Sequence, residues 1–138
     1  MIRKSLKYNT DQFKKEFAEL QNSLVEIYFD VEDQKDFQKI NEVLKQAGAK
    51  KVKRIIAVIL KNEYYDHIYK IEDKSVTAIK LKAGKSKNQN YRIYCKEIFK
   101  DGKKVVLITA HIKKVEKNQD DQTIINIIEN IKTYHYEF

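Results

Sequence analysis

The sequence predicts an α+β domain in which an antiparallel sheet packs on helices. Two observations carry this. Between residues 78 and 117, three apolar runs are separated by short turns containing glycine, the pattern of a β-meander. On either side of that stretch, apolar residues recur at three- and four-residue spacing, the pattern of amphipathic helices. At 138 residues the chain is long enough to bury a core without disulfide or metal staples.

Residues 1–22 begin polar and basic. Thr10 is placed to cap a helix of about three turns, with Phe13, Phe17 and Leu20 on one stripe. Residues 24–31 (LVEIYFDV) have strand composition. Asp33 opens a helix with Phe37, Ile40, Val43 and Leu44 on one face, and Gly48 closes it. From Lys50 a second stripe follows in Val52, Ile55, Ile56, Ile59 and Leu60, with Lys51, Lys53, Arg54 and Lys61 off it. So short a connection predicts an antiparallel helical hairpin. Residues 62–77 leave two readings open, a helix tail with a loop or a short extra strand at residues 67–71. Asp66 and His67 are adjacent, so on a strand they face opposite sides and need not cooperate as acid and base.

The meander follows. Ile79 and Leu81 alternate with Lys80 and Lys82, and Tyr91, Ile93 and Cys95 alternate with Arg92, Tyr94 and Lys96. Residues 105–111 are almost continuously apolar. Asp101-Gly102 marks the hairpin turn between the last two strands. The expectation is a greasy face, with Ile93, Cys95, Leu107 and Ile108 buried, and an opposite open face carrying Lys80, Lys82, Arg92, Tyr94 and Lys96. Residues 112–119 form a basic exit segment. Asp120 and Asp121 then suit the positive N-terminus of a final helix striped by Ile124, Ile127, Ile128 and Ile131. An aromatic tail, Tyr134 to Phe138, ends the sequence.

No apolar run reaches the roughly 20 residues of a membrane span, and no signal-peptide pattern opens the chain. The single Cys95 has no internal disulfide partner, which fits the cytoplasm. Net charge is +8 and uneven: residues 50–117 hold 19 Lys and Arg against 7 Asp and Glu, and the remainder 9 against 13. Segregated positive charge points to an anionic partner such as nucleic acid. Gly84-Lys85-Ser86 lacks the upstream glycine and the following helix of a phosphate loop and is set aside.

The order strand, helix, helix, three-stranded meander, helix, with Tyr91-Arg92-Ile93-Tyr94 opening a strand, resembles the RelE/ParE toxin superfamily. Residues 91–117 are similar to its HigB-like branch, in which a Tyr-Arg-hydrophobic-aromatic strand, a Gly turn, a hydrophobic strand and a basic segment follow one another. Here that basic segment reads His111-Ile112-Lys113-Lys114-Val115-Glu116-Lys117. The resemblance divides the chain into an N-terminal helical extension, residues 1–22, and a RelE-like domain, residues 23–138. It implies a toxin of a type II toxin–antitoxin system, an endoribonuclease that cuts messenger RNA on the ribosome or free, without metal or cofactor. It further implies a cognate antitoxin protein and no membrane. Lys80, Lys82, Arg92, Lys113, Lys114 and Lys117 match the family's basic positions.

The chemistry can be judged from the residues themselves. In metal-free RNA cleavage the 2′-OH attacks its own phosphate, a base takes the proton, cations steady the phosphorane and an acid protonates the leaving 5′-oxygen. Arg92 suits the phosphate because its planar fork donates two parallel hydrogen bonds. His111 is the best-placed base, since histidine ordinarily titrates near neutrality. Lys80, Lys113 and Lys114 supply further charge. Lys82, Lys85, Lys87, Lys96 and Lys117 are expected to bind RNA phosphates, and Tyr94 to stack a base. The alternative class is a binding module on the same scaffold without nuclease activity, a ParE-like topoisomerase inhibitor or a nucleic-acid binder.

Overall fold

The computed structural model describes residues 1–84, 88–112 and 121–138. In order, the strands are β1 (Ile2–Arg3), β2 (Ser5–Tyr8), β3 (Val25–Asp30), β4 (Tyr69–Asp73), β5 (Val76–Ala83), β6 (Gln89–Phe99), β7 (Lys103–Ile112) and β8 (His135–Tyr136). The helices are α1 (Asp11–Glu16), α2 (Gln34–Ala47), α3 (Ala49–Leu60) and α4 (Asp121–Lys132), with a 3-10 turn at Ala18–Leu20. The fold is α+β. Six strands form one mixed sheet in the order β2, β3, β7, β6, β5, β4, antiparallel except where β3 runs parallel to β7. β1 and β8 pair separately.

Alternation sorts the side chains. Ile79, Leu81, Ile93, Cys95 and Leu107 join Ile27 and Phe29 in a core roofed by Ile40 and Val43 of α2 and Ile55 and Ile59 of α3. On the opposite face Val76, Ala78, Tyr94, Val106 and Ile108 form a second core with Ile131 of α4. Ile93, Cys95, Leu107 and Ile108 are all buried as expected, but Ile108, adjacent to Leu107, points to the opposite face and joins the second core. The second face departs from expectation: it is not open, because α4 lies across its middle.

Local signals act as read at several points. Asp33 Oδ1 accepts the Asp36 N–H at 3.1 Å and caps α2. Gly48, at φ +96°, ends α2 and starts α3, a conformation that favours glycine. Asp101 and Gly102 turn the β6–β7 hairpin at φ +51° and +101°, and a Cβ on Gly102 would stand 2.5 Å from Leu24 O.

The first 22 residues differ from the helical extension expected of them. α1 has only six residues, and β2 pairs antiparallel with β3 as an edge strand of the main sheet. Thr10 makes no side-chain cap; Asn9 Oδ1 accepts the Asp11 N–H instead. Leu20 is fully buried in the first core. Of the two readings of residues 62–77, the extra strand is the one found, as β4. The aromatic tail packs at the end of β3: Arg3 Nε lies 2.6 Å from the buried Asp30 Oδ2, which also accepts the Tyr136 hydroxyl. The Arg3 guanidinium sits 3.9 Å above the Tyr134 ring.

Candidate nucleic-acid interface

Register brings three of the predicted residues together. Lys80 of β5 is directly opposite Arg92 of β6, and Arg92 is directly opposite His111 of β7. Directly opposed residues of antiparallel strands share a face, so these side chains form one row across three strands. Their face is the one turned away from α2 and α3. In the next row Lys82 opposes Asn90, and both are exposed. On the other side of the row, Ala78 opposes Tyr94, where α4 begins to cover the sheet.

Within the row, Arg92 is partly engaged. Its Nη1 lies 3.6 Å from Glu72 Oε1, with side chains 14% and 13% exposed. This pair bridges over β5, which separates β4 from β6. At that distance it is an ion pair rather than a hydrogen bond, and Glu72 Oε1 is buried without a hydrogen-bond partner among the described residues. His111 Nε2 is likewise buried and without a hydrogen-bond partner among the described residues. A buried ring nitrogen with no partner is uncommon, and it leaves the hydrogen-bonding capacity of Nε2 unmet among the described residues. Lys80 is half-buried.

Two expectations are corrected. Tyr94 is fully buried beneath α4 and presents no ring to a base. Lys96 Nζ donates to Lys132 O at 3.1 Å and Tyr134 O at 2.6 Å, so it closes the C-terminus of α4 rather than meeting phosphate. Burial there pushes its ammonium pKa down. Lys85, Lys87, Lys113, Lys114 and Lys117 lie outside the described residues.

Other groups with chemistry are held elsewhere. Cys95 is buried and its thiol is pushed well above its ordinary value by desolvation, so it is no nucleophile. A larger open cleft of about 1010 Å³ lies between the start of β3, the end of α3 and the β6–β7 turn. It mixes Glu19 and Glu63 with its cations, and Lys103 on its wall is already bound to Glu97, Asn62 and the Tyr64 hydroxyl. Among the described residues no three of His, Cys, Asp and Glu come together as a metal site, and no helix is long and apolar enough to cross a membrane. Comparisons with protein-family models, with curated proteins and with solved structures find no match for this chain.

Two features of the face escaped sequence reading. Glu72 has no local signal, because a β-bulge between Ile71 and Asp73 decides where it points. Lys51 and Arg54 stand out only as an i, i+3 pair of cations off the apolar stripe of α3, and nothing in that spacing says what they face.

Proposed function

We propose that this protein is an RNA-cleaving toxin of the RelE/ParE type, with messenger RNA as substrate, on the ribosome or free, and a cognate antitoxin as partner. The observation that carries the reading is the single row of Lys80, Arg92 and His111 beside the exposed Lys82. The order β3, α2, α3, β5, β6, β7, α4 also agrees with the order that the resemblance implies, with β1, β2, β4 and β8 added to it.

In this reading the strand lies along the uncovered end of the sheet face. His111 takes the 2′-OH proton as the O2′–P bond forms. Arg92 and Lys80 hold the charge that accumulates on the equatorial oxygens, interactions strongest in the transition state, and as the P–O5′ bond breaks the leaving 5′-oxygen takes a proton from solvent water. Lys82 holds a flanking phosphate, and Lys113 and Lys114 follow His111 in sequence to extend the basic set. An acidic or amphipathic segment of the antitoxin is the natural cover for so cationic a face.

One observation favours a second reading. Glu72 already occupies part of the Arg92 fork, which suits a face that binds without cutting, as in a ParE-like inhibitor. The experiment that separates them is single-turnover cleavage of messenger RNA, with and without ribosomes and with 5′-end mapping, beside a gyrase supercoiling assay. Defined cuts that disappear in His111→Gln, while RNA affinity persists, support the nuclease. Gyrase inhibition with intact RNA supports the binding module.

A further inference from the structure

The cationic row continues around the edge of the sheet. The Lys80 N–H donates to Ile68 O at 2.8 Å, and the register of β4 with β5 extends only from Val76 to Ile79. Past that point no strand pairs with the β5 edge among the described residues. Backbone groups alternate sides along a strand, so the Lys82 N–H, two residues beyond Lys80, points toward the vacated edge. A cleft of about 400 Å³ opens there, lined by Lys51 and Arg54 of α3, His67 ahead of β4, Lys80, Lys82 and Asn90.

Its chemistry is one-sided. Among the described residues no carboxylate and no Phe, Tyr or Trp ring lines it; Ile55, Ile68 and Leu81 complete its wall. Lys51, Arg54, His67, Lys82 and Asn90 are all exposed. Some lysines elsewhere are paired: Lys61 with Glu19, Lys7 with Glu26 and Lys132 with Asp73. Lys51, Arg54 and Lys82 have no carboxylate partner within ion-pair distance among the described residues. Converging cations without counter-charge repel one another, and a bound polyanion relieves that repulsion.

We infer that this cleft holds the phosphate backbone of a single nucleic-acid strand and leads it onto the row of Lys80, Arg92 and His111. This rests on the proposed reading of that row as the RNA-facing surface. Lys80 and Lys82 belong to both, so the two surfaces are continuous and take consecutive phosphates of one chain. Without a Phe, Tyr or Trp platform the cleft holds a strand mainly through its phosphates. Contacts to phosphate alone position a strand without reading its sequence. The cleft therefore binds DNA and RNA strands alike, and its binding is strongly salt-dependent.

The test is fluorescence anisotropy with labelled oligo(dT) and oligo(U) of equal length, titrated at low and moderate salt. The variants are wild type, the double variant Lys51→Ala/Arg54→Ala, and Lys53→Ala, which removes an equally exposed charge of the same helix that does not line the cleft. The double variant should weaken both oligonucleotides roughly ten-fold and reduce the log–log salt slope by about 1.4, at about 0.7 per lost phosphate contact on a single strand. Lys53→Ala should move neither much. No binding by wild type, equal losses in both variants, or no loss in the double variant overturns the cleft. Cleavage with an unaffected double variant removes the cleft and leaves the nuclease standing. Oligo(dT) binding that depends on Lys51 and Arg54, without any RNA cleavage, removes the nuclease and leaves the cleft.

Discussion

The Arg92 guanidinium stands 3.6 Å from the Glu72 carboxylate across an intervening strand, on a face otherwise crowded with cations. Removing the arginine leaves a largely buried carboxylate without its counter-charge. Arg92→Ala should therefore cost about 2–3 kcal/mol in urea unfolding, less than the ~3–5 kcal/mol of a fully buried pair because some solvent reaches both groups. Adding Glu72→Gln should restore most of that stability. Cleavage should stay roughly 10²–10³-fold down in both variants if Arg92 steadies the phosphorane. Recovery of the rate along with stability would make Arg92 a structural residue only.

Lys96 and Lys82 sit at opposite ends of one face and should behave oppositely. Lys96 closes the end of α4 through two carbonyls, so Lys96→Met should cost about 1–3 kcal/mol, the range for hydrogen bonds from a charged donor, and leave RNA affinity intact. Lys82 is exposed, so Lys82→Ala should change stability by less than about 0.5 kcal/mol while weakening RNA several-fold. Thermal unfolding and RNA titration, run on both variants, check the contrast. Matching losses of affinity would mean that α4 does not cover that part of the face when RNA is bound.

Glu26 ties three strands together. Its carboxylate meets Lys104 of β7 at 2.6 Å and Lys7 of β2 at 2.5 Å. Those two ammonium groups, Lys104 foremost, hold its pKa below the ordinary glutamate value. A depressed carboxylate pKa contributes stability that is present above the unfolded-state value and lost as pH falls through the folded-state value. Glu26→Gln should therefore destabilise the protein by about 1 kcal/mol at neutral pH and by nothing once the carboxylate is protonated in acid. Denaturation of both proteins across that acidic range checks the sign. A constant difference at every pH would assign the loss to packing.

The Lys103–Glu97 pair is the more demanding case. Both side chains are 5% exposed, 2.7 Å apart, and Glu97 also accepts from the Tyr64 and Tyr69 hydroxyls. Lys103→Met should cost about 3–5 kcal/mol, because Glu97 is left buried with only neutral donors. Lys103→Met/Glu97→Gln should recover a large part of it. A double-mutant cycle by urea unfolding measures the coupling, and additive losses would show that the two residues stabilise independently.

Period-two alternation was enough to place Ile93 and Cys95 on one face and Arg92 on the other. Asp33, Gly48 and Asp101-Gly102 were readable for the same kind of reason: capping and positive φ depend on a few neighbouring residues. β2 was not readable, because Ser5-Leu6-Lys7-Tyr8 is short and half polar and becomes a strand by pairing with β3, some twenty residues downstream. One of the three residues of the candidate row came the same way. Alternation gave Lys80 and Arg92 their face, while the alignment of His111 with Arg92 needed the hairpin register and its bulge at Tyr94 and Cys95.

By itself, then, the sequence determined which segments are helix or strand wherever the apolar period was long enough. It also determined which side of β5 and β6 is basic. Only the tertiary structure decided what covers that side. The apolar stripe of α4 is compatible with any greasy surface, and its docking over Ala78 and Tyr94 turned two expected RNA contacts, Tyr94 and Lys96, into core and helix cap. At the other end of the face α4 does not reach: Lys82 is exposed there, and Lys80, Arg92 and His111 are partly buried. The physical reason is range: dihedral preference and alternation act between near neighbours, whereas burial, ion pairing and shared clefts join residues that meet only when the sheet and its helices close together.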